Sequence, residues 1–274
     1  MKFKSIPGAL VMAAVMLSAL AAHAGETLQR VQRSGVMRDI LVDSYPPFGF
    51  VDASNHYAGF DVDVAKAIAQ RLGVKIELAA PSWEVVVGGH WNGRWDLCVC
   101  SMTPNTERAR VLDFPVAYYA SPAVLVVNKA ETRIQSAKDL TGKKVGVGLG
   151  SSYENYLQKN LVIPNTPPIA FPFGAVQAIP SDETVAFGDL ALGPGVRLDA
   201  VISDLATAKA RINQTAAFKI VAQLYAEPNW IATDKGDPEW NEKIRTTLQS
   251  LRADGTLAKI SQKWLGEDIT KNLP

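Results

Sequence analysis

The sequence predicts an α/β fold in two similar halves, each a mainly parallel sheet flanked by helices, with two strands crossing between them. Three observations carry this. Strand and helix patterns alternate as βαβαβ from Val36 to Cys100. A second strand–helix alternation begins near Tyr119 and ends near Tyr225. After it come only two amphipathic helices, Trp240–Arg252 and Thr256–Leu265, which cannot continue a sheet and return to the first half. The first lobe is therefore discontinuous, 25–120 plus 226–274, and the second, 121–225, is continuous.

Residues 1–24 precede this fold. Lys2 and Lys4 open them, the apolar run ALVMAAVMLSALAA follows, and Ala22-His23-Ala24 closes them. That order predicts a secretory signal peptide cut after Ala24 and export to the periplasm. Only 26 of the 28 basic residues then remain to face 27 acidic ones, a net charge of about −1. No basic block points to nucleic acid.

The elements follow in order. Residues 25–35 read as a short helix and 36–42 as a strand. DSYPPFGFVD is a stiff loop, because two prolines oppose regular structure. Tyr45 on that loop is a hydrophobic plug or a ligand platform; Phe48 is a plug. GFDVDVAKAIAQRLG has helical spacing and stops at Gly73. Val74–Leu78 alternates as a strand. Trp83 opens a helix weakened by Gly88 and Gly89, and Trp95–Cys100 is the next strand.

Asp96–Phe114, DLCVCSMTPNTERARVLDF, is the most informative stretch. Ser101 and Thr103 end a strand, and Arg108 stands five residues beyond Thr103. Hydroxyls, amides and a planar guanidinium are the groups that hold a carboxylate. Alternatively, Thr106 caps a short helix whose solvated face carries Arg108 and Arg110. Cys98 and Cys100 lie at i and i+2, and a regular strand holds such Cα atoms at the far end of the disulfide range, so free buried thiols are expected. There is no CxxC, and no metal site or cofactor loop emerges.

Further on, Val116–Asn128 is a long apolar strand. Val145–Gly148 leads through Gly150-Ser151-Ser152 into a helix, which is either an anion site or an ordinary N-cap. Residues 161–178 read as loop plus a short strand, and 182–192 as a helix. Leu198–Ile202 ends in Ser203-Asp204, where Asp204 binds a cation or caps the next helix. Phe218–Val221 is a strand, and AEPNWIAT an apolar run.

GFDVDVAKAIAQRLG, SMTPNTERARVLDF, KDLTGKKVGVGLGSSYENYL, LDAVISD and ADGTLAKISQKWLG, in this order, resemble the periplasmic amino-acid-binding proteins of ABC importers. The resemblance covers essentially the whole mature chain. It implies a two-lobed periplasmic-binding-protein fold that closes on its ligand about a two-strand hinge. The carboxylate-binding arginine falls on Arg108, with Ser101, Met102 and Thr103 as first-lobe partners. Ser101 is expected to offer its carbonyl to the ligand's ammonium. Ser151 and Ser152 fall on the second-lobe carboxylate contacts, Asp204 on the acid that pairs with the ammonium, and Tyr45 and Trp83 on the aromatic walls. Basic-ligand members often carry an acid where this chain has Val42, with Asp43 one residue off register. The implied partners are a free amino acid or close derivative and an inner-membrane ABC permease, with the protein a monomer and not an enzyme. One rival is a cyclohexadienyl or arogenate dehydratase on the same fold, with Glu154 as its general acid. Another is a ligand-sensing binding protein.

Overall fold

A computed structural model describes residues 26–271 and 273. The signal-peptide expectation lies outside the described residues. In chain order the elements are α1 (Glu26–Ser34), β1 (Val36–Ile40), β2 (Ser44–Tyr45), β3 (Gly49–Val51), β4 (Tyr57–Ala58), α2 (Phe60–Leu72), β5 (Lys75–Ala79), α3 (Trp83–Val87), β6 (Leu97–Met102), α4 (Arg108–Val111) and β7 (Leu112–Asn128). A 3-10 turn (Ala137–Leu140) leads to β8 (Lys144–Gly148) and α5 (Ser152–Leu157). Then come β9 (Gln177–Ser181), α6 (Glu183–Ala191), β10 (Ala200–Asp204), α7 (Leu205–Gln214), β11 (Phe218–Asp234), α8 (Pro238–Ala253) and α9 (Thr256–Leu265).

The main sheet has strand order β5-β1-β6-β11-β7-β10-β8-β9. Its two flanks are parallel, β5-β1-β6 on one side and β10-β8-β9 on the other. Between them β7 and β11 pair antiparallel, from Phe218 against Asn128 to Asp234 against Leu112. These two long strands belong to both lobes, and their pairing explains why each outruns its sequence-based boundary. AEPNWIAT is not a separate segment but the second half of β11.

Each lobe has its own apolar core. Phe60, Val64 and Ile68 of α2 meet Trp240, Ile244 and Leu248 of α8 and Leu257 of α9, over Met37, Leu97 and Val99 of the sheet. The C-terminal helices thus pack on the first half. Val145, Val147, Tyr156 and Leu161 pack with Ala200 and Ile202 in the second half. Asp96 ties the first lobe together. Its fully buried carboxylate accepts from Arg30 Nη2 at 2.7 Å and from the Arg38 amide at 2.7 Å.

Two expectations are corrected here. The proline loop is not wholly irregular: Pro46 and Pro47 occupy the turn of a small antiparallel sheet, β2-β3-β4. Cys98 and Cys100 are not free thiols but form a disulfide, with Cα atoms 5.3 Å apart. β6 is not a regular strand there. Between Cys98 and Met102 it carries two more residues than β11 carries between Ala232 and Trp230, a bulge that shortens β6 here, and Ser101, just beyond the pair, adopts φ +54°. That contraction brings the i, i+2 pair well inside disulfide reach.

Candidate functional site

Parallel strands expose ligand-facing loops at their carboxyl ends. Here the ends of β1, β5 and β6 face those of β8 and β9 across a cavity of about 420 Å³. Tyr45, Trp83, Ser101, Thr103 and Arg108 line it from one side, and Ser151, Ser152, Tyr153 and Glu183 from the other. Glu227 and Asn229 of β11 also line it.

Arg108 opens α4 and is only 5 % exposed. Asn105 Oδ1, rather than Thr106, accepts the Arg108 amide at 2.8 Å, and Asn105 Nδ2 donates across the cleft to Asn155 Oδ1 at 3.0 Å. The guanidinium donates from Nη1 to the Thr103 carbonyl at 2.7 Å and from Nη2 to the Gly150 carbonyl at 2.8 Å. It lies 5.1 Å from the Trp83 ring centroid. Trp83 Nε1 donates to the same Gly150 carbonyl at 3.2 Å. Gly150 sits at φ +66°, and a Cβ there would stand 3.3 Å from Trp83 Cδ1, so glycine allows this approach. Burial lowers the Arg108 pKa to about 10, with Glu227 pulling it back up, and the group stays charged at neutral pH. Arg110 is exposed, as a solvated side chain.

Thr103 Oγ1 donates to Glu227 Oε1 at 2.6 Å, and Ser152 Oγ donates to the same oxygen. Glu227 is 2 % exposed. Burial pushes its carboxyl up, and the Ser152, Thr103 and Tyr153 hydroxyls together with Arg108 hold it back. Ser151 caps α5, its Oγ accepting from the Glu154 amide at 3.2 Å. Ser101 is locked in its left-handed conformation from two sides. Its amide donates to the Tyr118 hydroxyl at 2.7 Å, and its own hydroxyl donates to Asp61 at 2.7 Å. Such strain persists only where surrounding contacts over-determine it.

Acids gather on the opposite side. Asp204, 1 % exposed, ends β10 and caps α7 by accepting the Ala206 amide at 2.6 Å. Burial raises its pKa to about 7, against hydrogen bonds from Ser121 and the Ala206 amide. Glu183, accepting from Ser203 Oγ at 2.5 Å, is likewise raised to about 7, chiefly by burial, with Asp204 adding to the shift. The Tyr45 and Tyr153 hydroxyls meet across the cleft at 3.3 Å. Tyr45 stacks on Phe48 with ring centroids 5.4 Å apart, so it is at once packed below and open above.

Of the residues singled out from the sequence, Tyr45, Trp83, Ser101, Thr103, Arg108, Ser151 and Ser152 line the cavity. Met102 does not: alternation along β6 turns it, fully buried, into the cluster with Ile40, Leu112 and Ala232. Asp204 lies just beneath the wall rather than in it, beside Glu183 and Tyr45. Glu154 turns its carboxylate back to the Gly150 amide at 2.8 Å and to Gln158 Nε2 at 3.2 Å. The sequence reading missed Glu227, Glu183 and Tyr153. A lone Glu inside an apolar strand was the available signal for Glu227. Among the described residues no group of His, Cys, Asp and Glu is placed to hold a metal, and no helix is long and apolar enough to cross a membrane.

Comparison with known proteins agrees with this geometry. The model of the bacterial extracellular solute-binding proteins, family 3, matches residues 38–267. The chain is 29% identical over 272 residues to the L-cystine-binding protein TcyJ of Escherichia coli (strain K12), covering 98% of this chain and 97% of that one. An ancestral arginine-binding protein bound to glutamine is 37% identical, with a TM-score of 0.74 over 85% of this chain and 99% of its own. The ancestral amino acid-binding protein AncCDT-1, described as a precursor of cyclohexadienyl dehydratase, is 30% identical, with a TM-score of 0.75 over 88% of this chain and 100% of its own.

Proposed function

The chain belongs to the bacterial extracellular solute-binding proteins, family 3, and from that premise we propose that it captures a free amino acid or close derivative between its lobes and delivers it to an ABC permease. The observation that carries this reading is the pairing of opposite chemistries across one cavity: the buried Arg108 on the first-lobe side, and on the second Glu183 in the wall with Asp204 behind it. A zwitterion has one group for each. Burying its two charges is tolerable only if both find partners.

In this reading Arg108 binds the carboxylate, aided by Thr103, Ser151 and Ser152. The Ser101 carbonyl and Asp204 take the ammonium. Tyr45 and Trp83 enclose the side chain by stacking or cation–π contact. Relatives named for cystine and arginine, and a structure holding glutamine, differ in side chain but share the α-amino and α-carboxyl groups that this arrangement addresses. We place lobe 1 at 25–120 plus 226–274 and lobe 2 at 121–225, cutting β7 and β11 where Ser121 faces Glu227. Anchors on both lobes favour the closed form when ligand is bound. The protein works in the periplasm as a monomer. Titration of the common amino acids into wild type and Arg108→Ala tests this; equal affinity in both would overturn it.

The similarity to a dehydratase precursor keeps an enzymatic reading in view. Binding without turnover is favoured, because Glu154, the acid such chemistry requires, is engaged by Gly150 and Gln158 outside the cavity lining. Incubation with arogenate and prephenate should give no product.

A further inference from the structure

Glu227 is not absorbed by that reading, and the inference that follows rests on it. Glu227 lies where the hinge strands cross, opposite Ser121. Its carboxylate takes a hydroxyl from each lobe, Thr103 from the first and Ser152 from the second. Those are two of the donors assigned to the ligand's carboxylate. A hydroxyl has one hydrogen to give, so while both point at Glu227 neither serves a second carboxylate. Among the described residues, Arg108 is the cation that acts on this group. The other groups around it are Tyr45 from the first lobe, Tyr153 and Asp204 from the second, and Tyr225 on its own strand. None of them adds a positive charge.

We propose that Glu227 is a ligand-contacting residue that meets the amino acid's carboxylate as a protonated acid, so that capture takes up one proton from solvent. Two ionised carboxylates beside one guanidinium leave a buried negative charge without a partner, whatever hydroxyls and amides surround them. Paired acids of this kind resolve the conflict by sharing one proton. The proton goes to a Glu227 oxygen and is donated to a ligand oxygen. Thr103 and Ser152 are then free to turn one or both hydroxyls to the ligand. Burial, which already displaces Glu227 upward, favours the same protonation.

The test is calorimetric titration of wild type and Glu227→Gln with L-cystine and the common L-amino acids as probes, in buffers of different ionisation enthalpy. The amide of the variant supplies a donor without titrating. Wild type should take up about one more proton per ligand than the variant. Its affinity should fall as pH rises, relative to the variant, by up to about tenfold per pH unit. Infrared difference spectra of wild type should gain a protonated-carboxyl band on binding, a readout that does not depend on the variant folding. Equal proton numbers in the two proteins, or no such band, would overturn the role of Glu227 while leaving amino-acid capture intact. Binding of no probe by either protein would overturn capture itself, and this inference with it.

Discussion

Replacing Asp204 with Asn should move stability and ligand affinity in opposite directions. In the ligand-free protein the Asp204 carboxyl is buried and raised from 3.8 to about 7. A folded-state pKa above the unfolded one means that the folded protein binds the proton more tightly. The proton-dependent stability is then present below about pH 4, falls as pH rises towards 7, and is flat above. Three pKa units at about 1.4 kcal/mol each amount to roughly 4 kcal/mol lost by pH 8. Asn carries no charge to bury, and it caps a helix about as well as Asp. Asp204→Asn should therefore stabilise the empty protein by up to about 4 kcal/mol at pH 8 and leave it unchanged near pH 4. The same change removes the partner of the ligand's ammonium, and amino-acid affinity should fall roughly ten- to a hundredfold. Urea unfolding of both proteins at pH 4, 6 and 8, with titrations at pH 7.5, measures both effects. A variant no more stable than wild type at pH 8, or one that binds equally well, would refute the reasoning.

Three further outcomes follow from the same geometry. Arg108→Ala should cost about 2–5 kcal/mol of binding free energy in calorimetry, and Arg108→Lys should rescue little, because a point charge cannot replace the planar fork. Trp83→Ala removes the ring over the Arg108 guanidinium; affinity should fall roughly three- to thirtyfold, and the ligand-induced change in tryptophan fluorescence should shrink. Asp96→Ala leaves the Arg38 amide without the acceptor it has at 2.7 Å and should cost about 1–3 kcal/mol of stability in denaturant unfolding, with no change in ligand specificity.

The features legible in the sequence are those written in local order. Tyr45, Trp83, Thr103 and Ser151 all follow a strand, and a chain read as βαβ places strand ends together whatever the details of packing. Arg108 was legible from its spacing behind Thr103, although its cap proved to be Asn105 rather than Thr106. What failed was decided at long range. Glu227 sits in an apolar stretch whose meaning depends on pairing with a strand about a hundred residues away, opposite Ser121. Glu183 resembles any first-turn helix acid until Ser203 and Asp204 are brought beside it. Met102 fell to strand alternation, which the match to a binding motif overrode. The cysteine pair departs from expectation because ideal strand spacing does not hold in a strand that bulges between Cys98 and Met102.

The most direct test is a titration of the intact protein with free L-amino acids, followed by the decarboxylated amine of whichever binds. Saturable one-to-one binding of at least one amino acid, lost when its carboxylate is removed and lost again in Arg108→Ala, is the expected result. Binding of no amino acid, or an amine that binds as tightly as its parent, would contradict capture of a zwitterion between Arg108 and Asp204.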